Sequence, residues 1–180
     1  MKALTVAGLL LEPLTVAHAE AMFELLSDPE LYRYLDDSPP PDLEHVRQQY
    51  ARLERRASPD GKQVWLNWVL REPGHALIGY VQATVLGNGS AWVAYLLGSR
   101  HWGHGHASKA TAAMLEHLES DYGVSRQLAI VEVDNARSIR VLERLGFRAA
   151  TAAELTKHEP TATERIFVRS ARPPGGRRLR

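Results

Sequence analysis

The stretch RHWGHGHASKATAAMLEHL, residues 100–118, reads as a glycine-rich turn running into an amphipathic helix. Gly103 and Gly105 lack the Cβ atoms that would hold a ligand off the backbone. Ala107, Ala110, Thr111, Met114, Leu115 and Leu118 then follow the i, i+3, i+4 spacing of one buried helical face. Free N–H groups at the start of a helix favour an anion, so this stretch predicts a phosphate or pyrophosphate site followed by a core helix.

Working outward, residues 92–97 predict a strand before the turn. Gly123 predicts a left-handed stop after the helix, and the apolar run 128–133 predicts a buried strand. Asn135 caps a further helix whose buried side is Ile139, Val141, Leu142 and Leu145 and which Gly146 ends. Strands are expected at 147–153 and 165–170. On the N-terminal side, residues 9–14 predict a strand. Residues 17–26 predict a helix burying Ala21, Met22, Leu25 and Leu26, and 27–42 an irregular connection. Asp42 is the N-cap, with His45 at N3, of a helix over 43–56. Strands 64–70, 77–85 and 92–97 make an antiparallel meander. The order β α α β β β α β α β β places the chain in the α/β class, as a mixed sheet with flanking helices.

With 180 residues and 20.1 kDa, the chain has room for one domain with a substantial core, expected over 1–170. Residues 171–180, with Pro173-Pro174-Gly175-Gly176 and several arginines, are expected to form a basic disordered tail. A net charge of +1 and a pI of 8.1 give no global field for nucleic acid or a membrane surface. Glu12 and Pro13 interrupt the early apolar run, so a strand is preferred there to a secretory signal, and a cytoplasmic location is expected. The absence of cysteine excludes disulfides, thiolate metal ligands and a cysteine acyl-enzyme.

The turn Arg100-His101-Trp102-Gly103-His104-Gly105-His106-Ala107 has the RxxGxG/A form of the GNAT superfamily of acyl-CoA-dependent N-acyltransferases. Downstream, residues 135–147 read NxxSIRVLExLGF. This resembles the superfamily's second signature as it stands in the RimJ/RimL type of ribosomal-protein alanine acetyltransferases. The resemblance spans residues 10 to about 170. It implies the GNAT fold: a mostly antiparallel sheet in which strands 92–97 and 128–133 are parallel and splay apart at their C-terminal ends. It also implies acetyl-CoA as cofactor. The pyrophosphate would lie on the amides of His101, Trp102, Gly103, His104, Gly105, His106 and Ala107, the pantetheine arm against Tyr95, Leu96 and Leu97, and Arg100, Asn135 and Ser138 would also contact the cofactor. Open strand ends in such sheets are general ligand crevices.

Acetyl transfer from a thioester to an amine requires the amine to lose a proton, an oxyanion donor and an acid for the departing thiolate. Without a cysteine, direct attack in a ternary complex is the economical route. Leu142 stands where many superfamily members carry a tyrosine acid, and the RimJ/RimL resemblance gives that role to Ser138, one helical turn earlier. The competing reading makes Ser138 an N3 residue bonded to backbone, and Asn135 serves as cap, cofactor contact or both. The strand glutamate common in the family is missing from WVAYLL. Glu132 is then the candidate base, with Asp134 beside it. Alternatively Glu132 is held by an arginine or histidine, and the amine loses its proton through water. His101, His104 and His106 would diverge from a turn, so no metal is assigned; with Arg100 and Lys109 they are expected to bring positive charge to the phosphates.

The acceptor end is framed by 27–42 and 152–163. Asp28, Glu30, Asp36 and Asp37 there are either an attraction for a cation or simply solvated, and Tyr32, Tyr34, Trp65, Trp68 and Trp92 are core or cleft wall. The expected partners are acetyl-CoA and an amine acceptor, a peptide N-terminus or a small molecule. No membrane or nucleic acid is expected, and the chain would be a monomer or homodimer. The missing glutamate and tyrosine leave a second possibility, a catalytically idle acetyl-CoA-binding module.

Overall fold

The computed structural model describes residues 1–72, 74, 76–155 and 160–171. The helix that follows the glycine turn, α3, runs His106–Tyr122. It opens after Gly105 at φ 78° and closes at Gly123 at φ 63°, both left-handed conformations that glycine adopts without a Cβ clash. Its buried side is Ala110, Thr111, Met114, Leu115 and Leu118, as the spacing predicts, joined by His117. A histidine is tolerated on that face because its Nδ1 lies 2.9 Å from Asp121 Oδ2, one turn on, while its ring packs edge-on against Trp68 and Tyr122.

Among the described residues eight strands form one sheet: β1 Leu4–Val6, β2 Leu9–Pro13, β3 Gln63–Arg71, β4 Leu77–Leu86, β5 Ser90–Leu97, β6 Arg126–Glu132, β7 Arg148–Ala149 and β8 Glu164–Ser170. Their spatial order is β1-β2-β3-β4-β5-β6-β8-β7. Strands β5 and β6 pair parallel across α3, and every other pairing is antiparallel. Alternation along the strands sends side chains to two main cores, beside a small third one around Leu128, Ile166 and Val168. Leu66, Trp68 and Leu70 of β3 join Met114, Leu115 and Leu118 of α3 and Leu142 of α4, Ala136–Arg144. Val69 and Leu77 point the other way, to Met22 and Leu26 of α1, Ala19–Leu26, and to Val46 and Tyr50 of α2, Leu43–Glu54. The sheet is therefore covered on both faces. Asp42 caps α2 as expected, its Oδ1 accepting from His45 N–H at 2.7 Å.

Several expectations are corrected. Strand 147–153 shrinks to Arg148–Ala149, because Thr151 and Glu154 form a capping box that turns the chain into a short 3-10 segment, Ala152–Glu154. Residues 17–26 divide into a 3-10 turn, Val16–His18, and α1, which buries Ala19 while Ala21 is exposed. The helix expected to reach residue 56 ends at Glu54. On α4 only Leu142 is fully buried, with Ile139, Val141 and Leu145 half-exposed. The strand β1, hairpinned to β2 through Ala7 and Gly8, was not anticipated. The tail expected at 171–180 lies, beyond residue 171, outside the described residues.

Candidate active site

The parallel pairing of β5 with β6 is short: Ser90 opposite Arg126, Ala91 opposite Gln127 and Trp92 opposite Leu128. Beyond Trp92 each strand is still held on its far side, β5 by β4 as far as Leu97 and β6 by β8 as far as Glu132. Neither holds the other, so a slit opens in the middle of the sheet. It accounts for Ile130, which is 38% exposed on a central strand that the apolar run predicts to be covered. The slit is part of a groove of about 890 Å³ whose walls come from β5, β6, the glycine turn and α4, and whose far end reaches Glu30, Leu31, Arg33, Tyr34, Leu35 and Asp36 beyond α1.

At one end lies the turn. His101 N–H bonds Gly98 O at 2.9 Å, and the Trp102 indole donates to Leu97 O at 2.8 Å, which pins the loop to the end of β5. Gly103 and Gly105 have φ 84° and 78°, and a Cβ on either would meet no atom within 4 Å, so the space above both is open. No side chain caps α3, and no acidic residue stands in its first turn. Its leading N–H groups are thus free to receive an anion, and His106, Ala107 and Ser108 all line the groove. A pyrophosphate fits this cradle, and an extended amide-bearing arm fits the unpaired strand edges.

The positive charge expected of the three histidines is only partly present. His106 Nε2 lies 3.1 Å from Glu72 Oε1, yet burial lowers its pKa more than that carboxylate raises it, so its imidazole is neutral at pH 7. His104 stacks on it with ring centroids 5.7 Å apart, and no three acidic or histidine side chains among the described residues are arranged to hold a metal ion. Of the cofactor-contact residues expected from sequence, Tyr95, Leu96, Leu97, His101, Trp102, Gly103, Gly105, His106, Ala107, Asn135 and Ser138 line the groove. Arg100 and His104 do not. Three arginines that sequence reasoning missed do line it: Arg137, Arg140 and Arg144, on one side of α4, with the Arg137 guanidinium 4.1 Å over the Trp102 ring. Their helical spacing was the available signal.

The start of α4 supplies the hydroxyl groups. Asn135 Oδ1 accepts from Ser138 N–H at 3.1 Å, which is the cap expected there. The Ser138 hydroxyl lies 2.8 Å from Tyr95 Oη, and the same phenol is placed to donate to Ser138 O at 3.1 Å. Burial pushes the Tyr95 pKa up to about 12, against the hydrogen bond to Ser138, which acts to lower it. From sequence, Tyr95 is assigned a role only through its main chain. Leu142, at the place of the usual tyrosine, is wholly inside the core. Glu132 is half-buried on the groove wall, 3.5 Å from the Thr163 hydroxyl, and Asp134 stands nearby; no ion pair to Glu132 occurs among the described residues.

On the α1–α2 face a second cavity, of about 110 Å³, adjoins the groove, and Leu35 and Leu96 belong to the walls of both. Tyr32, Tyr50 and Tyr80 surround it, with Asn67 and Gln82 of β3 and β4. Of the four acidic residues expected here, Asp28 is bound to the Ser99 hydroxyl, the main reason its pKa is lowered; Glu30 and Asp36 line the groove and Asp37 the cavity. Trp68 donates its indole N–H to Lys2 O at 2.9 Å and Trp65 to Gln63 Oε1 at 3.1 Å, while Trp92 packs against the small core around Leu128.

Comparison with known proteins agrees with this geometry. The chain is similar to the uncharacterised N-acetyltransferase p20 of Bacillus licheniformis, 27% identical over 150 residues, which is 82% of this chain and 83% of that protein. It is similar to the uncharacterised N-acetyltransferase YoaA of Bacillus subtilis, 28% identical over 143 residues, 78% and 79% of the two. In fold it is similar to RimL, a ribosomal L7/L12 alpha-N-protein acetyltransferase solved with coenzyme A, at TM-score 0.77 and 19% identity over 94% of this chain and 98% of that one. The ribosomal-protein-S5-alanine acetyltransferase of Vibrio fischeri is similar at TM-score 0.75 and 16% identity, over 94% and 97%. The likeness read from the second signature therefore extends to the fold. No helix among the described residues is long and apolar enough to cross a membrane. Residues 8–148, more than half of the chain, match the acetyltransferase (GNAT) domain, and the chain belongs to that family.

Proposed function

We propose that this chain, over residues 1–170, is an acetyl-CoA-dependent N-acetyltransferase that passes the acetyl group directly to a primary amine in a ternary complex. The observation that carries this reading is the slit between β5 and β6. It runs from an open anion cradle past paired hydroxyl groups to Leu96, which also walls a polar cavity on the α1–α2 face. Acetyl-CoA supplies a thioester carbon: the C–N bond forms as the C–S bond breaks, the amine gives up a proton and the thiol leaves with one.

The main-chain amides from His101 to Ala107 hold the pyrophosphate, and the free edges of β5 and β6 hold the pantetheine arm as a neighbouring strand would. Ser138 is the acid for the departing sulfur. Its proton has two positions. When Tyr95 donates to Ser138 O, the serine hydroxyl is turned back toward Tyr95 Oη. When Tyr95 donates to Ser138 Oγ, the serine proton is released to point into the groove. Tyr95 thus acts through Ser138 as a positioning residue. Glu132, on the same wall, takes the amine's proton, directly or through water.

Purified protein given acetyl-CoA and a panel of primary amines is expected to release free thiol and acetylated amine in equal amounts, followed by a thiol reagent and mass spectrometry. Tight acetyl-CoA binding with no product from any amine would leave the idle binding module instead.

A further inference from the structure

The cavity beside Leu96 has an unusual lining. Tyr50 is 3% exposed, and its Oη is buried without any hydrogen-bond partner. Asn67 is 6% exposed, and its carboxamide makes no hydrogen bond among the described residues. The Tyr80 phenol and the Gln82 carboxamide are uncommitted in the same way. Four uncharged polar side chains, from α2, β3 and β4, therefore face one small space with their hydrogen-bonding capacity unspent. The Tyr50 hydroxyl is fully buried without a partner, a costly state that a ligand's hydrogen bond would relieve, while Tyr80 and Gln82 are half-buried beside it.

The charges of this wall are elsewhere. Asp37 and His45 are its carboxylate and its imidazole among the described residues, and both are exposed at the rim. Burial raises the pKa of Tyr50, and pushes that of Tyr80 up to about 12, so both phenols keep their protons at neutral pH. A carboxylate seated at the bottom meets no lysine or arginine in the lining, and a second ammonium meets only the exposed, solvent-screened Asp37, so either would be desolvated at a cost that hydrogen bonds to neutral groups do not offset. A hydroxyl or carboxamide meets donors and acceptors on every side.

We infer that the acceptor is a small primary amine whose far end carries a neutral hydrogen-bonding group, a hydroxyl or carboxamide, seated among Tyr50, Tyr80, Asn67 and Gln82. This rests on the acetyl-transfer reading. The amine end lies toward Leu96, where cavity and groove share a wall. A volume of about 110 Å³ suits a group of a few non-hydrogen atoms.

The test is a matched series on the full chain at saturating acetyl-CoA: ethanolamine, propylamine, ethylenediamine and glycine, with propanolamine and butylamine as longer homologues, and a neutral tripeptide. The hydroxyl compound is expected to exceed its methyl counterpart in kcat/KM by about tenfold or more, and the charged ends to be slower still. Tyr50→Phe keeps the ring and removes the hydroxyl. It is expected to slow the hydroxyl compound about tenfold more than the methyl one. Equal slowing of the two overturns the assignment, as does a diamine, amino acid or tripeptide as best substrate, and in each of these cases acetyl transfer itself stands. No turnover of any amine removes both readings.

Discussion

Ser138 and Tyr95 are 43 residues apart in sequence and 2.8 Å apart through their hydroxyls, and how far each was legible follows from that separation. Ser138 sits inside a motif, three residues past a cap that the chain spells out. The Tyr95 phenol belongs to a strand whose neighbours only the folded sheet defines. Removing the proposed acid by Ser138→Ala is expected to lower kcat about a hundredfold while the KM for acetyl-CoA stays within about threefold, since in that role the hydroxyl acts on the departing sulfur rather than on cofactor binding. Tyr95→Phe is expected to cost about tenfold in kcat alone and nothing further once Ser138 is already alanine; additive losses in the double variant would uncouple the pair. The sign of the pH effect follows from burial. Because the folded-state phenol keeps its proton up to about pH 12, the ratio of wild-type to Tyr95→Phe rates is expected to be flat between about pH 7 and pH 10. His106 shows the opposite limit of sequence reading. Its place in the turn was readable, but its neutrality was not, because charge depends on how deeply the ring is packed.

Elements were readable where punctuation is local: Asp42, Asn135 and Gly123 each end or begin a helix at the expected residue. They were misread where a partner decides. The apolar run of β6 predicts a covered strand, whereas Ile130 is uncovered because β5 departs after Trp92. Residues 147–153 carry strand-like side chains but give way to the turn that Thr151 and Glu154 impose. Gly79 is the element-level counterpart of the turn glycines. It lies opposite Leu97, with φ 156°, and a Cβ there would run into Leu96 O and the Leu97 Cα. Gly79→Ala is expected to push β5 off β4, lowering Tm by roughly 5–10 °C and raising the KM for acetyl-CoA. Gly105→Asp is expected to act differently. The space over it is open, so the helix forms with a modest loss from its positive φ, but a carboxylate at the anion cradle should weaken acetyl-CoA binding at least about tenfold by calorimetry.

At the scale of the whole molecule, the order of elements and the parallel pair were legible from the two signatures taken together. The β1 hairpin and the second cavity were not, since neither carries a motif and the cavity is assembled from α2, β3 and β4. A protein with two unpaired strand edges inside its sheet is open to stabilisation by whatever fills them. Acetyl-CoA at a hundred times its Kd is expected to add about 2.7 kcal/mol, a rise in Tm of roughly 5–10 °C. Amide hydrogen exchange should slow along β5 after Trp92 more than along β3, and uniform protection would place the cofactor elsewhere. Tyr95 and Leu96 are adjacent on β5 and face opposite sides of the sheet, one toward α4 and the other toward the cavity under α2. On the proposed reading, proton handling and the choice of acceptor fall on opposite faces of a single strand. Exchanging residues under α2 is then expected to change the preferred amine while the step that depends on Ser138 is kept, which makes that face the place to begin redesign.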